Sequence, residues 1–483
     1  DSSPLRLSLP ALPAPMSSTS TRPPAGMRDF LPSDVARRDA VIARIRSVYE
    51  QHGFVPIETP ALERVDVLRR KYGDEGDSLI FRVLKRGEAL PPLTSETAPE
   101  DLVDLALRYD LTVPFARVMA EHQHQLPRFF RRYQIQPVWR ADRPQKGRFR
   151  EFYQCDVDYV GTTSLAAEHT VISAVCDALA ALRFDAFTVR LNDRRVLTGL
   201  MEAAELPERL HGPTLIAIDK LDKIGSEGVE RELQERGLPA AAIERLRPAL
   251  RALEPGTETS TDVAAAQRAL LDGLDATFEG RSATGSAGVA SLRALLALVE
   301  DAPLSAGVLR VDPSLARGLG YYTGTIFEIA VDGLAGSMGG GGRYDELVGM
   351  FRGQPIPAVG FSLGLERLLV VLTERDQLPQ VTSGAEVLVA PLDPETVGAC
   401  LRFASELRAQ GLRTEVHPEP QKPAKIFRHA ESIGVRHVAL LGLRETNEGL
   451  VALKDLKTSD QQTVPIAEAA IALVQKVRTG TPP

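Results

Sequence analysis

Val41, Ile42, Ile45 and Val48 recur at the spacing of one helix face, with Ser33 ahead of them as an N-cap and Asp34 in the first turn. Gly53 closes this predicted helix. Phe54 to Thr59 then alternates as a short strand and stops at Pro60. A second helix is predicted for Ala61 to Lys71, and a strand for Ser78 to Leu84. Pro114 fits the first turn of a helix running toward Glu121. Two extended runs, Tyr133 to Trp139 and Phe149 to Val160, flank a loop punctuated by Pro144 and Gly147, which predicts a hairpin. Ser164 can cap a helix from Leu165 to Leu182, and Phe187 to Asn192 reads as a strand.

From about Arg194 to Ala306 the rhythm changes to an Ala-, Leu-, Glu- and Arg-rich pattern of helical period, nearly free of aromatics. This predicts a helical insertion, not core. Strand character returns at Val308 to Val311 and at Tyr321 to Val331, where Thr323, Thr325, Ile326 and Phe327 favour an extended chain. Four glycines, Gly339 to Gly342, follow. Val359 to Leu363 is strand-like and Leu365 to Leu372 helical. Beyond Gly384 strands alternate with helices: Glu386 to Ala390, Thr414 to His417 and Val438 to Leu441, separated by helices at Pro394 to Gln410 and Lys422 to Ile433. A hairpin through Leu453 and a helix from Ala467 close the chain. That alternation predicts an α/β domain with a mostly parallel sheet.

At 483 residues, 43% hydrophobic and 25% charged, the chain is sized for two or three domains of ordinary globular composition. No run reaches the roughly 18 apolar residues of a membrane span. Cys155, Cys176 and Cys400 have no metal-ligand spacing, which fits buried thiols in a reducing compartment and a cytoplasmic protein. The net charge of −7 lies entirely in the first 384 residues, because the remainder is charge-balanced. A general nucleic-acid-coating protein is therefore excluded, while local basic patches remain open. The Pro-, Ser- and Thr-rich stretch 1–28 is expected to be disordered, with Met16 as the expected translation start.

Arg140, Arg143, Lys146, Arg148 and Arg150 crowd the mouth of the predicted hairpin, framed by Trp139, Phe149, Phe152 and Tyr153. Guanidinium forks suit phosphate oxygens. The common glycine-rich nucleotide motifs are absent, so arginines must do the phosphate holding. Arg317, between Ala316 and Gly318, heads a strand of little polar content, and a phosphate or carboxylate partner is expected for it. Arg367 opens a helix of Leu and Val, where a cation opposes the helix dipole and so points to a ligand. The four glycines, followed by Arg343, Tyr344 and Asp345, are expected to let backbone pass beneath a bound ligand. Gly360-Phe-Ser362-Leu-Gly364 matches a hydrolase nucleophile elbow, but no oxyanion segment precedes it.

These pieces together resemble the histidyl-tRNA synthetase family of class II aminoacyl-tRNA synthetases, from Gly26 onward. Phe54-x-x-Ile57-x-Thr59-Pro60 resembles motif 1, the Arg140 hairpin motif 2, and Gly360 to Arg367 motif 3. Arg317-Gly-Leu-x-Tyr-Tyr322 and Gly341-Gly-Arg-Tyr344-Asp345 resemble the two histidine-specific segments. The resemblance implies an α+β fold: an antiparallel catalytic sheet flanked by helices, a helical insertion and a C-terminal α/β anticodon-binding domain. The implied limits are a disordered extension over 1–28, catalytic core over 29–195 and 307–380, the insertion over 196–306 and the anticodon domain over 384–483.

The implied reaction joins histidine to tRNA(His) through a histidyl-adenylate, with ATP and Mg²⁺, in a homodimer free of any membrane. Arg140 would contact the ATP α-phosphate, Arg367 the γ-phosphate, and Arg317 both the substrate carboxylate and the α-phosphate. Asp142, Arg148 and Phe152 complete the implied ATP site. Asp110, Gln154 and Asp158 would meet the histidine α-amino group, with Thr112 beside them. Tyr321, Tyr322 and Tyr344 would line the imidazole pocket. No side chain is assigned to the metal. Gly320 replaces a common Asp of the family, and Asp110 and Asp158 replace common Glu residues. The alternative is a non-catalytic paralogue acting as a regulatory subunit of ATP phosphoribosyltransferase, which lacks the anticodon-binding domain. A hydrolase is a distant third.

Overall fold

The structure, a computed structural model, describes residues 20–69, 78–92, 94, 97–145, 147–184, 186–252, 263–316, 321–334, 336–379, 381 and 384–480. The chain forms two compact units, Asp1–Asp29 with Ile45–Glu374, and Phe30–Arg44 with Arg375–Pro483.

The first unit is built on an eight-stranded sheet in the order β1-β5-β6-β11-β10-β9-β7-β8. In chain order its strands are β1 (Val55–Pro56), β5 (Phe130–Trp139), β6 (Glu151–Val160), β7 (Thr188–Asp193), β8 (Val308–Val311), β9 (Thr325–Ala330), β10 (Gly339–Arg343) and β11 (Ala358–Gly364). Every pairing from β5 to β7 is antiparallel, and the two edge pairings, β1 with β5 and β7 with β8, are parallel. A smaller antiparallel sheet joins β2 (Leu62–Arg64), β4 (Val103–Leu107) and β3 (Arg82–Leu84).

Helices Thr112–His122 and Ala166–Ala181 cover the large sheet through Phe115, Ala116, Met119, Val171, Val175 and Leu179, all buried. Among the described residues between β7 and β8 the chain is chiefly helical, from Arg194–Ala203 through Ala283–Asp301. The antiparallel catalytic sheet, the helical stretch and the separate C-terminal sheet are those the sequence implied. Of the leading stretch, residues 1–19 lie outside the described residues, while Arg150 N–H donates to Gly26 O at 2.8 Å and Arg28 stacks 3.5 Å from the Phe149 ring centre.

Two local expectations are corrected. Leu62 to Arg64, expected to be helical, form a strand because β4 offers them a ladder; helix begins only at Val65. The four glycines lie in strand β10, clasped between β9 and β11. A Cβ on Gly341 would lie 2.1 Å from Gly360 O, and one on Gly342 2.5 Å from Thr325 O, so the neighbouring strands themselves demand glycine. The C-terminal sheet is mixed rather than mostly parallel.

That second sheet runs β13-β12-β14-β15-β16, with β12 (Val387–Pro391), β13 (Thr414–Val416), β14 (His437–Leu441), β15 (Leu450–Asp455) and β16 (Gln461–Pro465). β12 pairs in parallel with β13 and β14, while β14 with β15 and β15 with β16 are antiparallel. Both faces are apolar, as buried strands require. One face packs on Phe403, Leu407 and Leu473 from helices Val397–Ala409 and Ile466–Gly480; the other packs on Ile426 and Ala430 from Pro423–Ser432.

Candidate active site

The β5–β6 hairpin pairs Phe130 with Val160 at one end and Trp139 with Glu151 at the other. Beyond the last pair Arg140 N–H donates to Arg150 O at 2.8 Å, and the loop closes through mutual backbone bonds of Gln145 and Arg148. Arg140 Nε donates to Tyr109 O at 2.9 Å, and its guanidinium lies 5.5 Å from the Tyr109 ring centre and 5.1 Å from that of Phe152. One edge of the fork is thus anchored and its plane held between rings. Among the described residues no protein acceptor takes its two Nη groups. Asp142 receives a bidentate pair from Arg148, at 3.1 and 2.7 Å. Lys146 lies outside the described residues.

Arg140, Asp142, Arg148 and Phe152 line one cleft of about 560 Å³, together with Gln154, Asp158, Asp110, Thr112, Tyr321, Tyr322, Tyr344 and Arg367. Arg367, in the first turn of helix Leu365–Glu374, donates to Ser337 O and reaches Gly147 O at 3.4 Å. It therefore bridges the hairpin loop and the segment entering β10. Every site residue expected from sequence lines this cleft except Arg317, which with Gly318 to Gly320 lies outside the described residues.

Side chains alternate along a strand, so Gln154, Asp156 and Asp158 of β6 share a face. Gln154 Nε2 donates to Ser362 Oγ at 2.7 Å. Asp158 accepts the Tyr344 hydroxyl and pairs with Arg132 at 2.7 Å. Arg132 is fully buried against the Phe115 ring, 4.1 Å from its centre. Gly360 sits opposite Asp158 in the ladder, and a Cβ there would lie 1.9 Å from Asp158 Oδ1. Asp110 accepts the Val113 N–H at 3.1 Å, at the start of the Thr112–His122 helix.

The Tyr321 hydroxyl donates to Tyr322 at 3.0 Å, with ring centres 4.3 Å apart. Tyr344 meets Tyr321 edge to face. Burial, helped by the nearby carboxylates, pushes all three phenols above their usual range, so they stay protonated and can donate.

Residues 26–368 match the family model described as histidyl-tRNA synthetase, and residues 386–476 match an anticodon binding domain. The chain belongs to the histidyl-tRNA synthetase family. A histidine–tRNA ligase of Porphyromonas gingivalis is 42% identical over 458 residues, spanning 93% of this chain and 98% of its own. One from Gloeobacter violaceus is 39% identical over 476 residues, spanning 94% and 98%. The crystal structure of a Nostoc histidyl-tRNA synthetase superimposes with a TM-score of 0.77 at 30% identity, covering 95% of this chain and all of that one.

The hydrolase reading does not fit this member of the family. Ser362 lies inside β11 with its hydroxyl taken by Gln154, not on a strand-to-helix turn. Sequence reasoning missed Asp156, Arg132 and Glu366. Asp156 and Glu366 line the cleft, and Glu366 fixes β6 by accepting the Tyr153 N–H at 2.9 Å. The period of two from Gln154 to Asp158 was the available signal for Asp156.

Proposed function

We propose that this chain joins histidine to tRNA(His) in two steps. A histidine carboxylate oxygen attacks the α-phosphorus of ATP and pyrophosphate leaves. The terminal ribose hydroxyl of the tRNA then attacks the histidyl carbonyl, and AMP leaves. The observation that carries this reading is one cleft that gathers the Arg140, Arg148 and Arg367 guanidiniums, the carboxylates of β6 and the phenols of Tyr321, Tyr322 and Tyr344. β6 serves as the ruler: from Phe152, beside Arg140, to Asp158 is six residues, roughly 20 Å. That length accommodates a triphosphate and an amino acid placed in line.

In this reading Arg140 holds the α-phosphate, Arg367 the γ-phosphate, and Arg317 spans the carboxylate and α-phosphate. Arg148, held by Asp142, and Phe152 complete the nucleotide side. Charge grows on the α-phosphate oxygens during attack, so pre-placed guanidiniums favour the transition state over the ground state. Asp110, Gln154 and Asp158 form the polar wall for the amino acid beside Thr112, and Tyr321, Tyr322 and Tyr344 read the imidazole. A site whose hydrogen bonds match the substrate rejects analogues lacking them by about 10⁴-fold or more.

Mg²⁺ would neutralise phosphate charge. Among the described residues no group of three or more His, Cys, Asp or Glu is placed to hold a metal. We further propose a cytoplasmic homodimer, a catalytic core over 29–195 and 307–380, a helical insertion over 196–306 facing the tRNA acceptor stem, and an anticodon-binding domain over 384–483. Among the described residues no helix is long and apolar enough to cross a membrane. The regulatory-subunit alternative is disfavoured, since the ligase relatives align over nearly the full length and the C-terminal domain is present. ATP–pyrophosphate exchange, measured with each amino acid in turn, tests the reading. Exchange with histidine alone is expected; none with histidine, or faster exchange with another amino acid, overturns it.

A further inference from the structure

We propose that Arg108 is a positioning residue for Arg140: it pins the chain at residues 108–109 so that the Tyr109 carbonyl holds the Arg140 guanidinium in line for the α-phosphate. The proposal rests on reading the cleft as an adenylate site. Arg108 follows β4 directly and is 2% exposed. Burying a guanidinium is costly unless its donors are met. Here they meet neutral oxygens. Nε donates to Pro137 O at 3.0 Å, and Nη1 reaches Thr59 O, Thr59 Oγ1 at 3.2 Å, Pro60 O at 3.2 Å and Gln136 Oε1 at 2.9 Å. One planar fork thus fastens two separate segments, Thr59–Pro60 beyond β1 and Gln136–Pro137 within β5. An aliphatic side chain could fill this space without the desolvation, but it could not tie the segments together.

The main chain of Arg108 joins the same two segments. Its N–H donates to Ala61 O at 2.9 Å, and the Trp139 N–H donates to Arg108 O at 3.0 Å. Its guanidinium also lies 5.9 Å from the Trp139 ring centre. The residue after Arg108 is Tyr109, and the residue after Trp139 is Arg140. These two make the anchor: Arg140 Nε donates to Tyr109 O at 2.9 Å, with the guanidinium 5.5 Å from the Tyr109 ring centre. Arg108 therefore sets the spacing between the phosphate-binding arginine and its anchor from one position back on each strand of chain.

Tyr109, Asp110 and Arg140 line the cleft, whereas Arg108 is not part of its lining and acts only through its neighbours. Asp110 is held separately, by the Val113 N–H at 3.1 Å. Loss of the Arg108 fork removes the donors from buried oxygens of Thr59, Pro60, Gln136 and Pro137, so these segments must shift to find others. A displacement of about 1 Å in a group that positions the reacting atoms is enough to cost about 100-fold in rate.

The test is a double-mutant cycle on the rate of histidyl-adenylate formation, read in single turnovers at saturating histidine and ATP so that slow variants are still measured. Arg108→Met should slow the reaction by about 10- to 100-fold. The histidine KM of pyrophosphate exchange should stay within about threefold, as removal of a transition-state contact requires. In an Arg140→Met background the anchor has nothing left to hold, and the same substitution should cost less than about twofold more. Arg108→Lys keeps the charge and loses the fork, and its rate should fall between Arg108→Met and wild type. Should Arg108→Met not fold, Arg108→Lys is carried through the same cycle. An undiminished rate in the Arg108 variants, a loss confined to the histidine KM, or a loss of equal factor in both backgrounds overturns the proposal. The last of these would make Arg108 a support of the fold with no particular bearing on Arg140. Wild-type protein that fails to activate histidine overturns the reading beneath it, before any variant is compared.

Discussion

Arg343→Met should unfold the first unit at lower temperature without removing a ligand contact. Arg343 grips Glu168 through Nε at 2.6 Å and Nη2 at 2.7 Å, and its remaining Nη1 reaches Thr162 O and Asp345 Oδ1, both at 3.1 Å. Glu168 is fully buried, with one further donor, Thr325 Oγ1, at 3.1 Å. Removing the guanidinium leaves a buried carboxylate without its counter-charge, which costs about 3–5 kcal/mol. At about 2 °C per kcal/mol for a domain of this size, the melting temperature should fall by roughly 6–10 °C. Combining it with Glu168→Met removes both charges, and an apolar pair of similar volume is nearly neutral. The double variant should therefore regain most of the loss, a coupling visible in a double-mutant cycle of thermal melts. Exchange activity should follow the melting temperature. A single variant that melts with wild type yet loses activity, or a double variant no more stable than the single, refutes the reasoning.

Gly360→Ala places a methyl 1.9 Å from Asp158 Oδ1; ordinary contact begins near 3.4 Å, so the carboxylate must retreat about 1.5 Å. Stability should drop by about 1–3 kcal/mol in melts, and exchange kinetics should show the histidine KM rising while the ATP KM holds. In the C-terminal unit Arg436 and the N–H groups of Lys457 and Thr458 hold the Asp455 carboxyl well below its usual range. Its stabilisation is fully present above the unfolded value near pH 4 and is lost as pH falls below that, through the depressed folded value. Asp455→Asn should therefore flatten that unit's urea midpoint between about pH 2 and pH 5. All three cysteines are buried, and burial pushes Cys176 and Cys400 up to about 12. A thiol reagent at neutral pH should leave the native protein unlabelled and should modify three thiols after denaturation.

Much of the site was legible because its residues are polar where their surroundings are not. Arg140 and Arg367 stand in aromatic or aliphatic runs, whereas Gln154 and Asp158 entered only through the family resemblance. What separates Asp156 from Asp158 is a tertiary fact. Arg132 and Tyr344 arrive from distant positions and choose one carboxylate over the other, and no local pattern records the choice. Strand β10 was illegible for a related reason. Glycine has poor intrinsic preference for strands, and only the closeness of β9 and β11 makes it obligatory there. The same override turned Leu62 to Arg64 from a predicted helix into a strand. In the C-terminal unit the central strands β12 and β14 are fully buried, so local pattern located them without revealing which pairings run antiparallel.

Backbone alone makes the part of the cleft wall contributed by Gly339, Gly340 and Gly341. Substitution changes side chains only, and at Gly339 and Gly341 a Cβ would strike carbonyl oxygens of β11 at 2.5 and 2.1 Å. That part of the wall is closed to stepwise variation: the smallest available change already disrupts the sheet. Drift in substrate preference, natural or engineered, must therefore come chiefly through the side chains of the remaining lining, at the tyrosines and the β6 face. Gly340, where a Cβ would lie 3.3 Å from Phe327 O, is the least obstructed of the three, and even there the neighbouring strand must yield slightly.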